Sequence, residues 1–301
     1  MLQVVHQVWG TPNQGQMQEY QGVVEIINGG TIENAYCGIQ TIRFAVPDGG
    51  SNEAPDYFYT GGIVRADGGI FRNNSIAVKF WPYNSYNSAS FFRDCQFITN
   101  NDMIEGIVPE NFIEMSDISG IIVGGCSFTD SRIVTVPDQL TTGIEAFDAD
   151  FSIWPYGEQQ STFKNLYYGI RAYSHNPERT VNIINCYFNK NFRSVYLSAV
   201  MAATITGNEF IPWINDDLSY CLYLDYCSDY TVEENSIGKW VEPPFGNPPG
   251  EIGLIINNSG PYNNEIYRNT FENLEYATLA QNCNRGYLDE IGLQIKCNDY
   301  W

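Results

Sequence analysis

A three-residue phrase runs down this chain: a small residue or Asn, any residue, then Phe or Ile. It reads Gly30-x-Ile32, Gly69-x-Phe71, Cys95-x-Phe97, Cys126-x-Phe128, Ser161-x-Phe163, Cys186-x-Phe188, Asn208-x-Phe210, Asn235-x-Ile237 and Asn269-x-Phe271. Successive copies start 39, 26, 31, 35, 25, 22, 27 and 34 residues apart. Self-similarity at such a period is the mark of stacked coils, because one unit cannot bury its apolar face alone whereas a stack buries a continuous core.

A second phrase, a small residue and then an aliphatic or Thr, follows at nearly constant offset. Its copies are Gly38-Ile39, Ala77-Val78, Gly169-Ile170, Ser194-Val195 and Ala277-Thr278, with Gly143-Ile144 and Gly253-Leu254 after longer insertions. Asn34, Asn73, Asn165 and Asn273 stand between the two phrases. Asn suits a tight corner because it tolerates left-handed backbone angles and bonds its own main chain. Both phrases alternate with period 2, as strands do, and no window holds a 3.6-residue apolar stripe over three turns.

These patterns predict an all-β fold, a right-handed parallel β-helix of about nine to ten coils, with two short strands per coil. Coils stack ~4.8 Å apart, so equivalent residues form columns along the axis. Variable steps then become corner loops, the largest at 46–60, 100–118, 131–142, 151–160, 211–219 and 238–250. Length alone suggests two domains, but the ladder favours one spanning residues 1–301. Hydrophobic residues make up 44% and charged residues 17%, a balance that suits a β solenoid better than a helical protein.

The formal charge of −20, from 15 basic and 35 acidic residues, argues against nucleic acid or an anionic membrane surface as partner. It permits cation binding and equally serves solubility alone. Cys95, Cys126 and Cys186 share a register with Ser and Asn, so they read as small packing residues rather than disulfide partners. Cys221 with Cys227, or Cys283 with Cys297, would be open to pairing. With only His6 and His175 and no Cys-x-x-Cys, no zinc site is expected. There is no apolar run of membrane-spanning length and no signal-peptide pattern after Met1. The chain reads as a piece of a longer protein.

The runs Gly29-Gly30-Thr31-Ile32-Glu33-Asn34, Phe71-Arg72-Asn73-Asn74, Phe128-Thr129-Asp130-Ser131, Val232-Glu233-Glu234-Asn235-Ser236 and Lys296-Cys297-Asn298 resemble the large secreted or cell-surface β-helix repeat proteins of Bacteroidetes-type bacteria. The resemblance covers nearly the whole chain. It implies an extracellular or cell-surface setting, a type IX secretion sorting domain outside this sequence, and neighbouring domains of the same protein as partners. The wider pectate-lyase-like superfamily includes polysaccharide lyases and hydrolases. Their signatures are missing here: no Arg-x-Pro-x-x-Arg, Gly-His-Gly or Arg-Ile-Lys occurs, and Asp216-Asp217 is the one echo.

With Ile39, Val78, Ile144, Ile170 and Val195 inward, the next residues point out as a column: Gln40, Lys79, Glu145, Arg171, Tyr196 and Tyr223. Two residues further on lies a second column of Ile42, Trp81, Phe147, Tyr173, Ser198 and Asp225. Aromatic faces that stack on pyranose rings, beside charged tips that bond hydroxyls, are what a polysaccharide or cell-surface glycan requires. Glu145, Arg171 and Asp148 are the candidates for acid/base catalysis, with an ordinary surface ion pair as the other reading of Glu145 and Arg171. Asp148 and Asp150, with Glu145 upstream, are weak candidates for calcium. Phe80-Trp81-Pro82-Tyr83, Ile153-Trp154-Pro155-Tyr156 and Ile211-Pro212-Trp213 would wall a cleft if their corners share an edge, or else pack down on the solenoid. Three function classes follow: a scaffold or adhesive module, a non-catalytic glycan binder, and a polysaccharide lyase or glycoside hydrolase.

Overall fold

The computed structural model describes residues 4–10, 14–43, 61–83, 86–134, 136–213, 219–238, 251–286 and 292–301. It is a right-handed parallel β-helix of three sheets, each of ten parallel strands. The first sheet is built, in order, from Val4–Gly10, Cys37–Arg43, Ile76–Phe80, Asn111–Ser116, Thr142–Phe147, Tyr168–Tyr173, Arg193–Ser198, Ser219–Asp225, Glu251–Asn257 and Tyr276–Gln281. These strands number coils 1 to 10. The third sheet carries the opening phrase, from Thr31–Glu33 in coil 1 to Asp299–Tyr300 in coil 10. The second sheet, from Val23–Ile27 to Leu293–Lys296, lies between them in each coil.

The second sheet corrects the expectation of two strands per coil. Its strands begin with no small residue. Several carry Thr, Glu, Arg or Asn outward, as in Ile63–Asp67, Val181–Ile184 and Thr231–Glu233, so they lack a recurring phrase. A second correction concerns 100–118, read as one insertion: Asn111–Ser116 is the first-sheet strand of coil 4. Phe112 occupies the place that Gly, Ala, Ser or Cys fill in other coils, and its ring packs 6.0 Å from Phe97 and 6.1 Å from Phe128. Likewise Phe151–Trp154 is a second-sheet strand of coil 5 rather than loop. The expected insertion at 46–60 and Asp216-Asp217 lie outside the described residues, as does nearly all of 238–250.

Two columns hold the interior together. Phe71, Phe97, Phe128, Phe163, Phe188 and Phe210 stack face to face, with centroids 4.6–4.9 Å apart. Ile237 breaks the stack before Phe271 and Tyr300 resume it at 5.2 Å. The small residues of the second phrase make room for these rings. A Cβ on Gly143 would sit 3.1 Å from the Phe163 ring, and one on Gly169 3.2 Å from the Phe188 ring.

The register that precedes the Phe column holds Cys95, Cys126, Ser161, Cys186, Asn208, Asn235, Asn269 and Asn298, and here the side chains bond the next main chain. The Ser161 hydroxyl accepts from the Cys126 N–H at 3.3 Å. Asn208 Oδ1 accepts from Cys186 N–H at 2.8 Å, Asn235 Oδ1 from Asn208 N–H at 2.9 Å, Asn269 Oδ1 from Asn235 N–H at 3.0 Å, and Asn298 Oδ1 from Asn269 N–H at 2.8 Å. Each Asn Nδ2 also donates to a carbonyl, Asn208 to Ile183 and Asn235 to Ile205. Buried amides are thus satisfied at every step. All eight cysteines are free thiols, including Cys221, Cys227, Cys283 and Cys297. Asn34, Asn73, Asn165 and Asn273 turn the corners at φ 57°, 54°, 56° and 52°, in the left-handed region their side chains tolerate.

Candidate functional site

The outer face of the first sheet carries the chemistry. Strand pairing places Gln40, Lys79, Glu114, Glu145, Arg171, Tyr196, Tyr223, Ile255 and Leu279 in one register. The expected column is therefore continuous, with Glu114 added where coil 4 had been read as loop. The second column likewise gains Ser116, which pairs with Phe147, and continues through Tyr173, Ser198, Asp225 and Asn257. Trp81 follows the coil 3 strand, and its N–H donates to Thr41 Oγ1 at 3.0 Å.

The charged third of the face is internally matched. Lys79 Nζ lies 2.7 Å from Glu114 Oε1, and Arg171 Nε donates to Glu145 Oε2 at 2.6 Å. Each cation also rests on rings of its own coil: Lys79 sits 4.6 Å from the Trp81 centroid, and Arg171 4.9 and 5.8 Å from Tyr168 and Tyr173. Burial pushes the Glu145 carboxyl up, the Arg171 hydrogen bond and charge pull it down, and the Glu114 charge raises it again, with a net rise. Burial opposes the Arg171 charge, but the bond and charge of Glu145 outweigh it and hold the guanidinium more firmly protonated.

Sequence reasoning missed a third outward column: Tyr168, Arg193, Tyr220, Ile252 and Tyr276. The signal was available, since each residue directly precedes the small residue of the second phrase. Arg193 sits among the rings of Tyr167, Tyr168, Phe192 and Tyr220 at 5.2–5.7 Å, and donates to the Tyr168 and Tyr167 hydroxyls. Tyrosine rings then tile the face. Tyr173–Tyr196, Tyr196–Tyr223 and Tyr220–Tyr223 meet edge to face at 5.6, 5.3 and 5.5 Å. Tyr196 donates to Asp225 Oδ2 at 3.1 Å, and Asn257 donates to Asp225 Oδ1 at 2.7 Å. A cleft of about 640 Å³ opens at the coil 7 to coil 10 end, floored by Ile252, Ile255 and Leu279. That volume suits a small ligand or a segment of a chain.

Other candidates sit elsewhere. Asp148 Oδ1 accepts from the backbone N–H of His175 at 2.5 Å and of Asn176 at 3.1 Å, which fixes the corner after the coil 5 strand. Burial raises the Asp150 carboxyl, against the lowering influence of Arg179 and of hydrogen bonds from Gly120 and Thr180. The aromatic-proline corners do not share an edge: Trp81 follows a first-sheet strand, Trp154 ends a second-sheet strand and Trp213 follows a third-sheet strand. Tyr83 packs down, 3% exposed, and donates to the Gln14 carbonyl at 2.5 Å.

Glu251 is the unexpected acid. It opens the coil 9 strand at 2% exposure, its Oε1 has no hydrogen-bond partner among the described residues, and burial pushes its carboxyl from 4.5 up to about 7. A carboxyl raised on folding favours the protonated native state. Its contribution is therefore most favourable below the unfolded value and is lost as pH rises from about 4.5 through about 7. The expected loss is on the order of 3 kcal/mol. Glu251→Gln should remove that slope and raise the denaturation midpoint at pH 8 while leaving it nearly unchanged at pH 4.5. Equal pH slopes in the two proteins would refute the assignment.

Comparison with known proteins adds the following. Residues 155–288, under half of the 301, match the family described as periplasmic copper-binding protein (NosD). No curated protein matches the chain. Tailspike protein 3 of bacteriophage CBA120, a crystal structure, is similar at 12% identity and a TM-score of 0.27, over 99% of this chain and 50% of the tailspike. The chain thus spans about half that protein's length. Copper favours thiolate, thioether and imidazole donors. Among the described residues no three His, Cys, Asp or Glu side chains converge. In the matched segment Cys186, Cys221 and Cys227 are buried thiols pushed up by burial, Cys283 is an exposed free thiol, and His175 is exposed beside Phe147. The described residues therefore do not fit a copper centre built from three or more His, Cys, Asp or Glu side chains.

Proposed function

We propose that this chain is an extracytoplasmic β-helix that binds a glycan along the outer face of its first sheet, without cleaving it. The observation that carries the reading is the unbroken tiling of Tyr168, Tyr173, Tyr196, Tyr220 and Tyr223 between hydrogen-bonding side chains such as Asp225 and Asn257. The half-buried rings of Tyr173, Tyr196 and Tyr223, packed over the buried Tyr168 and Tyr220, offer stacking surface to pyranoses, and the fixed strand spacing repeats it along the axis. The match of residues 155–288 to a family described as periplasmic supports a place outside the cytoplasm. Within a larger surface protein the rigid solenoid would also act as a spacer. Binding is favoured over bond cleavage because the three acid/base candidates are engaged: Glu145 with Arg171, and Asp148 with main-chain donors.

A glycan array followed by calorimetry on the polysaccharides retained tests this reading. Tyr196→Ala should weaken binding about tenfold, the scale of one aromatic contact. Lys164→Ala, on the outer surface of the third sheet, should leave it unchanged. Reducing ends or unsaturated products should not accumulate. An array with no retained glycan, or binding indifferent to Tyr196, would refute the proposal.

A further inference from the structure

Along the register from Lys79 to Leu279 the outward residues change character: charged at coils 3 to 6, tyrosine at coils 7 and 8, and aliphatic at coils 9 and 10. At that end Ile255 and the neighbouring Ile252 are each 7% exposed, and Leu279 packs against them. The three floor the 640 Å³ cleft, and the exposed Gln281 and Tyr276 stand at its rim. An unsubstituted pyranose would lose hydration over this floor without gaining hydrogen bonds, a cost that opposes binding. A methyl group lying there gains on the order of 1 kcal/mol or more. An amide attached to that methyl would meet the polar rim.

The electrostatics of the cleft favour a neutral ligand. Arg193 lines it, but its guanidinium is enclosed by four rings and bonded to two tyrosine hydroxyls. The Glu275 carboxylate lines the same cleft, and the whole chain carries −20, which disfavours polyanions.

From these observations we propose that the coil 7 to coil 10 cleft is a subsite for a neutral N-acetylated hexosamine. The acetamido methyl would rest on Ile252, Ile255 and Leu279, and its amide would bond the rim. This inference rests on the glycan-binding reading above and names the sugar class for one end of that face.

Chitotetraose and cellotetraose share a β-1,4-linked backbone and differ in acetamido against hydroxyl at each C2. Calorimetry on the full chain should show chitotetraose binding at least tenfold more tightly, the scale of a methyl in an apolar pocket. Ile255→Thr and Leu279→Gln should each bring the two sugars to within about threefold. Ile255→Val should keep the preference, and thermal unfolding would confirm that all variants fold. Cellotetraose binding as well as chitotetraose would overturn the subsite, as would binding of neither sugar or a preference indifferent to both floor variants. The array and the Tyr196→Ala comparison decide the wider glycan reading separately, so a failure here leaves that reading standing.

Discussion

Asn235→Ala is expected to destabilise the protein by about 4 kcal/mol, although the substitution removes few atoms and leaves the strand intact. Asn235 is 1% exposed and makes four side-chain hydrogen bonds. Its Oδ1 accepts from the N–H and the Nδ2 of Asn208, and its Nδ2 donates to the Ile205 carbonyl and to Asn269 Oδ1. Truncation strands these groups inside a dry interior, where each orphaned polar group costs about 1–3 kcal/mol and neighbours recover part of the loss. Asn235→Ser should lose roughly half as much, because Ser161 shows in its own coil that a hydroxyl can accept the neighbouring N–H. Denaturant titration of the three proteins checks both the size and the order. Equal stability of the Ala and Ser variants would show that the amide ladder contributes little.

Phe163→Ala is the second large effect, at about 4 kcal/mol. The ring is fully buried and stacked between Phe128 at 4.6 Å and Phe188 at 4.9 Å. Deleting it loses transfer energy and leaves a cavity, together about 3–5 kcal/mol for a buried Phe, with two ring contacts removed besides. Because each coil touches only its neighbours, a void at coil 5 also weakens the coupling between the coils on either side. The denaturation curve should therefore broaden or split as its midpoint falls. Phe163→Leu should lose far less and keep one sharp transition. An unfolding free energy within about 0.5 kcal/mol of the unsubstituted protein for Phe163→Ala would contradict the stacked-column account.

The fold was legible because its core is periodic. Phe71 through Phe271 repeat a stacking requirement, and Asn34, Asn73, Asn165 and Asn273 repeat a backbone requirement, so both leave the same residues at the same offsets. The second sheet left no such trace, since its inward positions accept Val, Ile, Ala or Phe alike: Ala66, Phe92, Val123 and Ile205 are all fully buried there. Coil 4 was hidden by Phe112 in a place usually held by a small residue, and with it went Glu114, the partner of Lys79. The pairing of Glu145 with Arg171 could be read from register alone. The positions of Arg193, Ile252, Ile255 and Leu279 were also readable from register, whereas the ring cage around Arg193, the cleft and the raised Glu251 were not, because each depends on what burial does to a residue rather than on spacing.

The two interior columns are joined like timbers in a lap joint. Face-to-face rings run unbroken from coil 2 to coil 7 and stop at Ile237. Asparagine amides begin at Asn208 in coil 7 and run to Asn298 in coil 10. Coil 7, through Asn208 and Phe210, is where the two runs overlap, and coils 9 and 10 carry both again through Phe271, Tyr300, Asn269 and Asn298. A force or a fraying front arriving from either end meets one kind of splice before the other has run out. The solenoid has a grain that changes along its length with no unreinforced seam between.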